Sequence, residues 1–252
     1  MGTTSELVLY EKRDRTAIIT LNDAKTNNAL TTGLVARLRE VWVEFESDPE
    51  MRVAVLTGKG KAFCTGMDLE EADRGVIADF DACMPNIGVE VTKPIIGAIN
   101  GWAIGAGMGL ASCTDIRVMS ERAKFLFPEV KFGYAGGGLD FIRDVPYAIA
   151  MEIWLTGEPL DAKRAYEVGM VNRVVPPEKL MEEATRFTDI MQDHAPMTMK
   201  MLKMSAVMHT TNVKNSWLSL KANYIRPQME SEDLKEGILA FKEKRKPEFK
   251  GK

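Results

Sequence analysis

The groups of this chain that could do chemistry are few, and most of them are backbone. Histidine occurs twice, at His194 and His209, and neither has the near neighbours of a catalytic or zinc-binding set. Both read as surface helix residues. Cys64, Cys83 and Cys113 are odd in number, widely spaced and mostly in apolar company, a pattern of neither disulfides nor metal ligands. Reduced thiols in a cytoplasmic protein are the expectation. No metal site is expected, so the chemistry must run on something else. Two glycine-containing turns stand out, and one of the chain's acids follows the second of them after an apolar strand. The first turn is Gly60-Lys61-Ala62-Phe63-Cys64-Thr65-Gly66-Met67-Asp68-Leu69, and the second is Gly101-Trp102-Ala103-Ile104-Gly105-Ala106-Gly107-Met108-Gly109-Leu110-Ala111. The acid closes Phe125-Leu126-Phe127-Pro128-Glu129. Glycines allow a tight turn and let a ligand approach the backbone closely. A helix starting there leaves its first amides unpartnered and attracts negative charge. The bland reading is a turn that only lets a helix pack closely on a strand. Glu129 likewise has two readings. It is a surface residue or helix cap, or it is a carboxyl in an apolar pocket, with a pKa raised so that it takes and returns protons.

Each turn must be held by the element before it. Apolar runs at 53–57 and 94–99 read as buried strands leading into the two turns, with a helix over 105–113 and a further strand at 115–120. Upstream, strands are expected at 6–12 and 16–21 around the hairpin turn Arg13-Asp14-Arg15. A polar loop over 23–28 leads to a helix from 31 to about 47, with Leu34, Val35, Leu38, Val41, Trp42 and Phe45 as its core stripe. The charged segment 68–88 is expected to be helix with a mobile turn. Helices are expected at 137–143, 146–156 and 161–168, with Gly157 and Gly169 as stops, then a strand at 171–175. From 177 onward the pattern is helical. Met197, Met199, Met201, Met204 and Met208 form a stripe suited to core or subunit contact.

The 252 residues, 45% hydrophobic and 27% charged, suffice for one sizeable core or a core with a helical appendage. A net charge of −3 and a pI near 5.6 give no global attraction for nucleic acid or an anionic membrane. No apolar stretch reaches the roughly 20 residues of a membrane span. The first residues lack a basic region followed by an apolar one, so no signal peptide is expected.

Taken together, the ordered motifs resemble the crotonase (enoyl-CoA hydratase/isomerase) superfamily. The resemblance rests on a strand ending in Thr57-Gly58, then Ala62-Phe63-Cys64-Thr65-Gly66-Met67-Asp68-Leu69, then Asn100-Gly101-Trp102-Ala103-Ile104-Gly105-Ala106-Gly107. It extends to Asn27-Asn28-Ala29-Leu30 and to Glu243-Lys244-Arg245-Lys246-Pro247-Glu248-Phe249, almost the whole chain. It implies an α/β fold, a spiral of repeated ββα units over 1–195, with a helical trimerisation region over 196–252. A homotrimer, or a homohexamer made of two trimers, is the implied assembly. The implied ligand is an acyl-CoA thioester, as substrate rather than cofactor, with no other cofactor, no nucleic acid and no membrane.

That chemistry passes through a thioester enolate, whose oxygen is held by fixed N–H donors; losing one costs about 2.7–4 kcal/mol of barrier stabilisation. The resemblance assigns the donors to the amides of Met67 and Ala106. It assigns CoA to the loops 25–30 and 62–69, with adenine near Ala29 and Thr65 and with Gly66, Asp68, Leu69, Gly105 and Gly109 also on the substrate. Lys25, or Lys244 of a neighbouring subunit, is the candidate for phosphate, because Glu70 stands where many relatives carry a basic residue. Met84 and Ile87 are expected beside the acyl group, and Trp102, Phe80, Tyr134 and Trp154 line a pocket or serve as core.

Hydratases of this family use two glutamates. Glu129 matches the second; the first matches Gly109, which cannot transfer a proton. Candidates for a replacement are Asp140, Tyr134 and Tyr224, Asp140 reading equally as a helix cap. Segments 147–152 and 231–237 resemble the carnitinyl-CoA dehydratase-like branch. One carboxyl can move a proton between carbons, so double-bond isomerisation is favoured. Hydration or dehydration with a non-standard second acid, ring-opening or C–C hydrolysis of a CoA thioester, and a non-catalytic acyl-CoA- or RNA-binding relative are the alternatives. The acidic pI argues against RNA.

Overall fold

A computed structural model describes residues 6–134, 145–210 and 231–250, with the side chains of 209 and 210 excepted. The expected helices at 137–143, Asp140 and Tyr224 lie outside the described residues. The chain opens with β1 (Val8–Arg13) and β2 (Thr16–Leu21), an antiparallel hairpin in which Val8 faces Leu21 and Arg13 faces Thr16. Asp14 makes the turn at φ 52°, a conformation its short polar side chain tolerates. Helix α1 (Thr32–Ser47) follows, with the Thr31 hydroxyl capping the Leu34 amide at 3.2 Å.

The chain then alternates between two sheets. Strands β3 (Val53–Gly58), β5 (Ile95–Ile99) and β7 (Ile116–Ser120) run parallel to one another and beside β2 in a six-stranded sheet completed by β10 (Arg173–Val175). Each is followed by a short strand of a second, four-stranded sheet: β4 (Ala62–Cys64), β6 (Trp102–Ile104) and β8 (Lys124–Leu126), with β9 (Leu160–Asp161) antiparallel on β8. Helix α2 (Leu69–Asp73) follows β4, and α3 (Ala106–Ser112) follows β6. Both sheets stack their strands in the same sequence order, so the ββα turns climb a spiral. The short strands have too few residues for a period-two pattern, which is why 62–64 reads from sequence as part of a loop. Segment 68–88 holds less helix than expected, only α2 and a 3-10 turn at Phe80–Cys83.

The long strands read as unbroken apolar runs because both faces of the first sheet are covered. Ala54 and Leu56 face the main core with the α1 stripe of Leu34, Leu38, Trp42 and Phe45. Val53 and Val55, with Ile96, Ala98 and Val118, face Leu180 and Ala184 of α6 (Leu180–Met191). Helices α4 (Tyr147–Thr156) and α5 (Ala162–Glu167) lie between β8 and β10 in the chain; α7 (Pro196–Thr210) and α8 (Glu232–Lys242) end the described fold. Lys203 of α7 is fixed at the sheet margin, donating to Lys93 O at 2.8 Å and pairing with Asp115 at 2.8 Å. No helix of the described residues is long and apolar enough to cross a membrane.

Candidate active site

The cleft forms where the two glycine turns meet. Gly66 has φ +74° and Gly105 has φ +53°, both in the region that disfavours side chains. A Cβ on Gly66 would sit 3.1 Å from the Ala106 nitrogen and 2.5 Å from the Ile104 carbonyl, so the first turn rests directly on the start of α3. That closeness brings Met67, one residue on, and Ala106 to the same cavity of about 450 Å³. Ala106 is the first residue of α3, where an amide has no acceptor within its own helix.

Glu129 also lines the cavity. Pro128 and Glu129 open a 3-10 turn over Glu129–Phe132, placed by β8. The carboxyl lies over Gly105: a Cβ there would fall 2.2 Å from Glu129 Oε1. Oε2 is shut off from solvent and has no hydrogen-bond partner. Burial pushes the Glu129 pKa well above the ordinary carboxylate value, partly offset by its own backbone N–H. Tyr134 donates its backbone N–H to Glu129 O at 3.1 Å and also lines the cavity. Its hydroxyl pKa is raised to about 12, first by burial, then by the Glu129 and Asp81 carboxyls.

The structure thus gathers Met67, Ala106, Glu129, Ala29, Thr65, Asp68, Leu69, Gly105 and Tyr134 around one cavity. Asp68 also caps α2, accepting from the Glu71 amide at 2.7 Å. Gly66 abuts the cavity without lining it, and Gly109, buried one helical turn into α3, does not line it either. Lys25 and Lys244 are exposed and outside the lining. Of the residues expected beside an acyl group, Phe80 lines the cavity; Met84 and Ile87 pack with the main core instead. Trp102 is partly exposed on β6, and Trp154 packs against the core beside Phe127. Phe132 and Phe241, which sequence reasoning missed, also line the cavity, their ring centroids 5.4 Å apart. Phe241 belongs to α8, more than a hundred residues from Glu129, and no local signal connects the two. The three cysteines are buried and none is in a disulfide, and no cluster of potential metal ligands occurs among the described residues.

A spiral of ββα turns carrying its cleft between successive turns is the crotonase fold. Against solved structures the chain superposes on the "carnitinyl-CoA hydratase from Mycobacterium avium" with a TM-score of 0.89 and 32% identity, covering 98% of this chain and 99% of that one. The chain belongs to the enoyl-CoA hydratase/isomerase family, whose model matches residues 11–252. Among characterised relatives, (E)-benzylidenesuccinyl-CoA hydratase of Thauera aromatica is 34% identical over 97% of this chain and 99% of its own length. Carnitinyl-CoA dehydratase of Proteus mirabilis is 34% identical over 91% of this chain and 93% of its own length. The 2,3-dehydroadipyl-CoA hydratase of Escherichia coli is 32% identical over 98% of this chain and all of its own length. The protein is accordingly an enzyme of this family.

Proposed function

We propose that the cleft binds an acyl-CoA thioester with its carbonyl oxygen between the Met67 and Ala106 amides, and that Glu129 carries the proton. In the favoured reaction, the Glu129 carboxylate takes a proton from C2 of a 3-enoyl thioester. The resulting dienolate places its charge on the thioester oxygen, where the two N–H groups stabilise it. The protonated Glu129 then delivers the proton to C4, leaving a 2-enoyl thioester and a regenerated carboxylate. The observation that carries this reading is a carboxyl with a buried, unpartnered oxygen facing the same cavity as both amides. Gly109, at the place of the first of the two hydratase glutamates, supports isomerisation over hydration. The nucleotide end of CoA would lie along 25–30 and 62–69, near Ala29 and Thr65, with Lys25 or a neighbouring subunit's Lys244 meeting phosphate.

The names of the relatives favour a second reading, addition or removal of water, which needs a second proton carrier; Tyr134 lines the cavity and is the described candidate. Incubation of the purified protein with 3-enoyl-CoA and 2-enoyl-CoA separates the two. Turnover of the first without hydration of the second supports isomerisation, and hydration of the second overturns it. In either case Glu129→Gln should lower turnover by about 10²–10⁴-fold. The exposed apolar side chains of α7, Met197, Met201, Leu202 and Met208, support assembly of the chain as a trimer, measurable by light scattering.

A further inference from the structure

The Met67 amide can serve as an oxyanion donor only if its peptide plane is held, and the groups that hold it lie in a different loop. In a planar trans peptide, the carbonyl of Gly66 and the N–H of Met67 point in opposite directions. The Gly66 carbonyl accepts from the backbone N–H of Leu30 at 2.7 Å. Leu30 therefore fixes the carbonyl end of this plane, and the Met67 N–H points away from Leu30, on a residue that lines the cavity. The same bond polarises the peptide and strengthens the donor at its other end.

What holds Leu30 is Asn28. This side chain is fully buried, and its amide donates toward Ala62 O at 2.9 Å, Lys59 O at 3.1 Å and Phe63 O at 3.2 Å. Its Oδ1 accepts from the Asp23 N–H at 2.9 Å, closing the loop on itself. Ala62 and Phe63 form β4, which runs straight into Gly66. Asn100 reaches the same Ala62 carbonyl from the second turn at 3.2 Å and accepts from the Gly58 N–H at 3.1 Å. Asn28 thus clamps the ligand-facing loop, with Thr26, Asn27 and Ala29 on the cavity wall, to the strand that delivers the Met67 amide.

We propose that Asn28 is a positioning residue for catalysis, coupling the 25–30 loop to the orientation of the Met67 oxyanion donor. This rests on the reading given under Proposed function. Asn28 sits at φ 59°, so Asn28→Gly removes the side chain without forcing the backbone from its conformation. Because the donor's bond to the thioester oxygen strengthens as charge develops there, a misaimed donor costs the transition state more than the bound substrate, and kcat should fall about tenfold or more while KM stays within about twofold. A role confined to stability would lower the melting temperature and leave both constants of the folded enzyme unchanged.

The direct readout is the absorbance of bound 2,4-hexadienoyl-CoA, whose conjugated thioester shifts to the red when its carbonyl oxygen accepts hydrogen bonds. The wild type should show the shift and Asn28→Gly a smaller one. An equal shift and equal kcat in folded Asn28→Gly overturn the proposal while leaving the proposed function standing. A wild type that binds this thioester without any red shift overturns both. Should Asn28→Gly not fold, the α-hydroxy analogue of leucine at position 30 deletes the N–H that holds Gly66 O, and besides that only weakens the Ala29 carbonyl that accepts from the Thr31 N–H. The same loss of red shift is then expected, and its retention refutes the coupling.

Discussion

Replacing Glu129 by glutamine should make this protein both less active and more stable. The carboxyl is held over Gly105 with Oε2 unpartnered and away from solvent, and burial raises its pKa well above the ordinary value. The folded protein therefore keeps this proton to a higher pH than the unfolded chain, which releases it near pH 4.3. The group's contribution to stability is complete below the unfolded pKa and is lost as pH rises toward the folded pKa. Glutamine is neutral throughout and escapes that loss. Leaving a buried polar group unpaired costs about 1–3 kcal/mol, more when charged, and the amide still lacks some partners. A net gain of about 1–2 kcal/mol is thus expected at pH 7. At roughly 2–4 °C per kcal/mol for a chain of this size, melting should rise by about 2–8 °C. Calorimetry at pH 7 and near pH 4 tests this, because the gain should shrink to nothing at the lower pH. In parallel, loss of the proposed proton carrier should lower kcat by about 10²–10⁴-fold, or roughly 2.7–5.4 kcal/mol of barrier. A variant that melts at or below the wild type at pH 7, or keeps more than about a tenth of its activity, refutes the reasoning.

Three further outcomes follow from the same geometry. In the free enzyme kcat/KM should rise with pH through a limb displaced above the ordinary carboxylate range, because in the proposed reaction Glu129 must be ionised to act first as a base. A pH–rate profile checks the position of that limb. Gly105→Ala would set a Cβ 2.2 Å from Glu129 Oε1 and place alanine at φ +53°. Left-handed strain of about 1–2 kcal/mol and overpacking of about 1–3 kcal/mol should lower the melting temperature, and the displaced carboxyl should lower kcat. Lys203→Met removes the ammonium bonded to Lys93 O and Asp115, and the loss should destabilise by about 1–3 kcal/mol in a denaturant titration without changing kcat.

Much of the scaffold was legible because its signals are local. The apolar runs at Val53–Gly58 and Ile95–Ile99 declare strands covered on both faces, and the α1 stripe repeats at helical spacing under the Thr31 cap. The two glycine turns are legible for the same reason, since φ values of +74° and +53° restrict the residue type whatever surrounds them. The short strands β4, β6 and β8 were not, because three residues carry no period and owe their conformation to the turn stacked beside them.

The sequence by itself determined the pieces: which turns must contain glycine, that one acid follows Phe127-Pro128, and that Gly109 removes a second acid from α3. Tertiary structure alone decided what those pieces face. Glu129 carries no local mark of burial, and only the stacking of β8 on β6 lays its carboxyl over Gly105. Phe241 joins Phe132 at the cavity because α8 folds back across it, while Met84 turns into the core. Asn28 shows the difference most clearly. Its type is ordinary for a polar loop, yet its burial and its bonds to Lys59, Ala62 and Phe63 exist only because the spiral brings residues more than thirty positions apart to one point. Hydrogen-bonding partners, burial and pKa shifts belong to neighbours in space, and a chain's order states only its neighbours along the backbone.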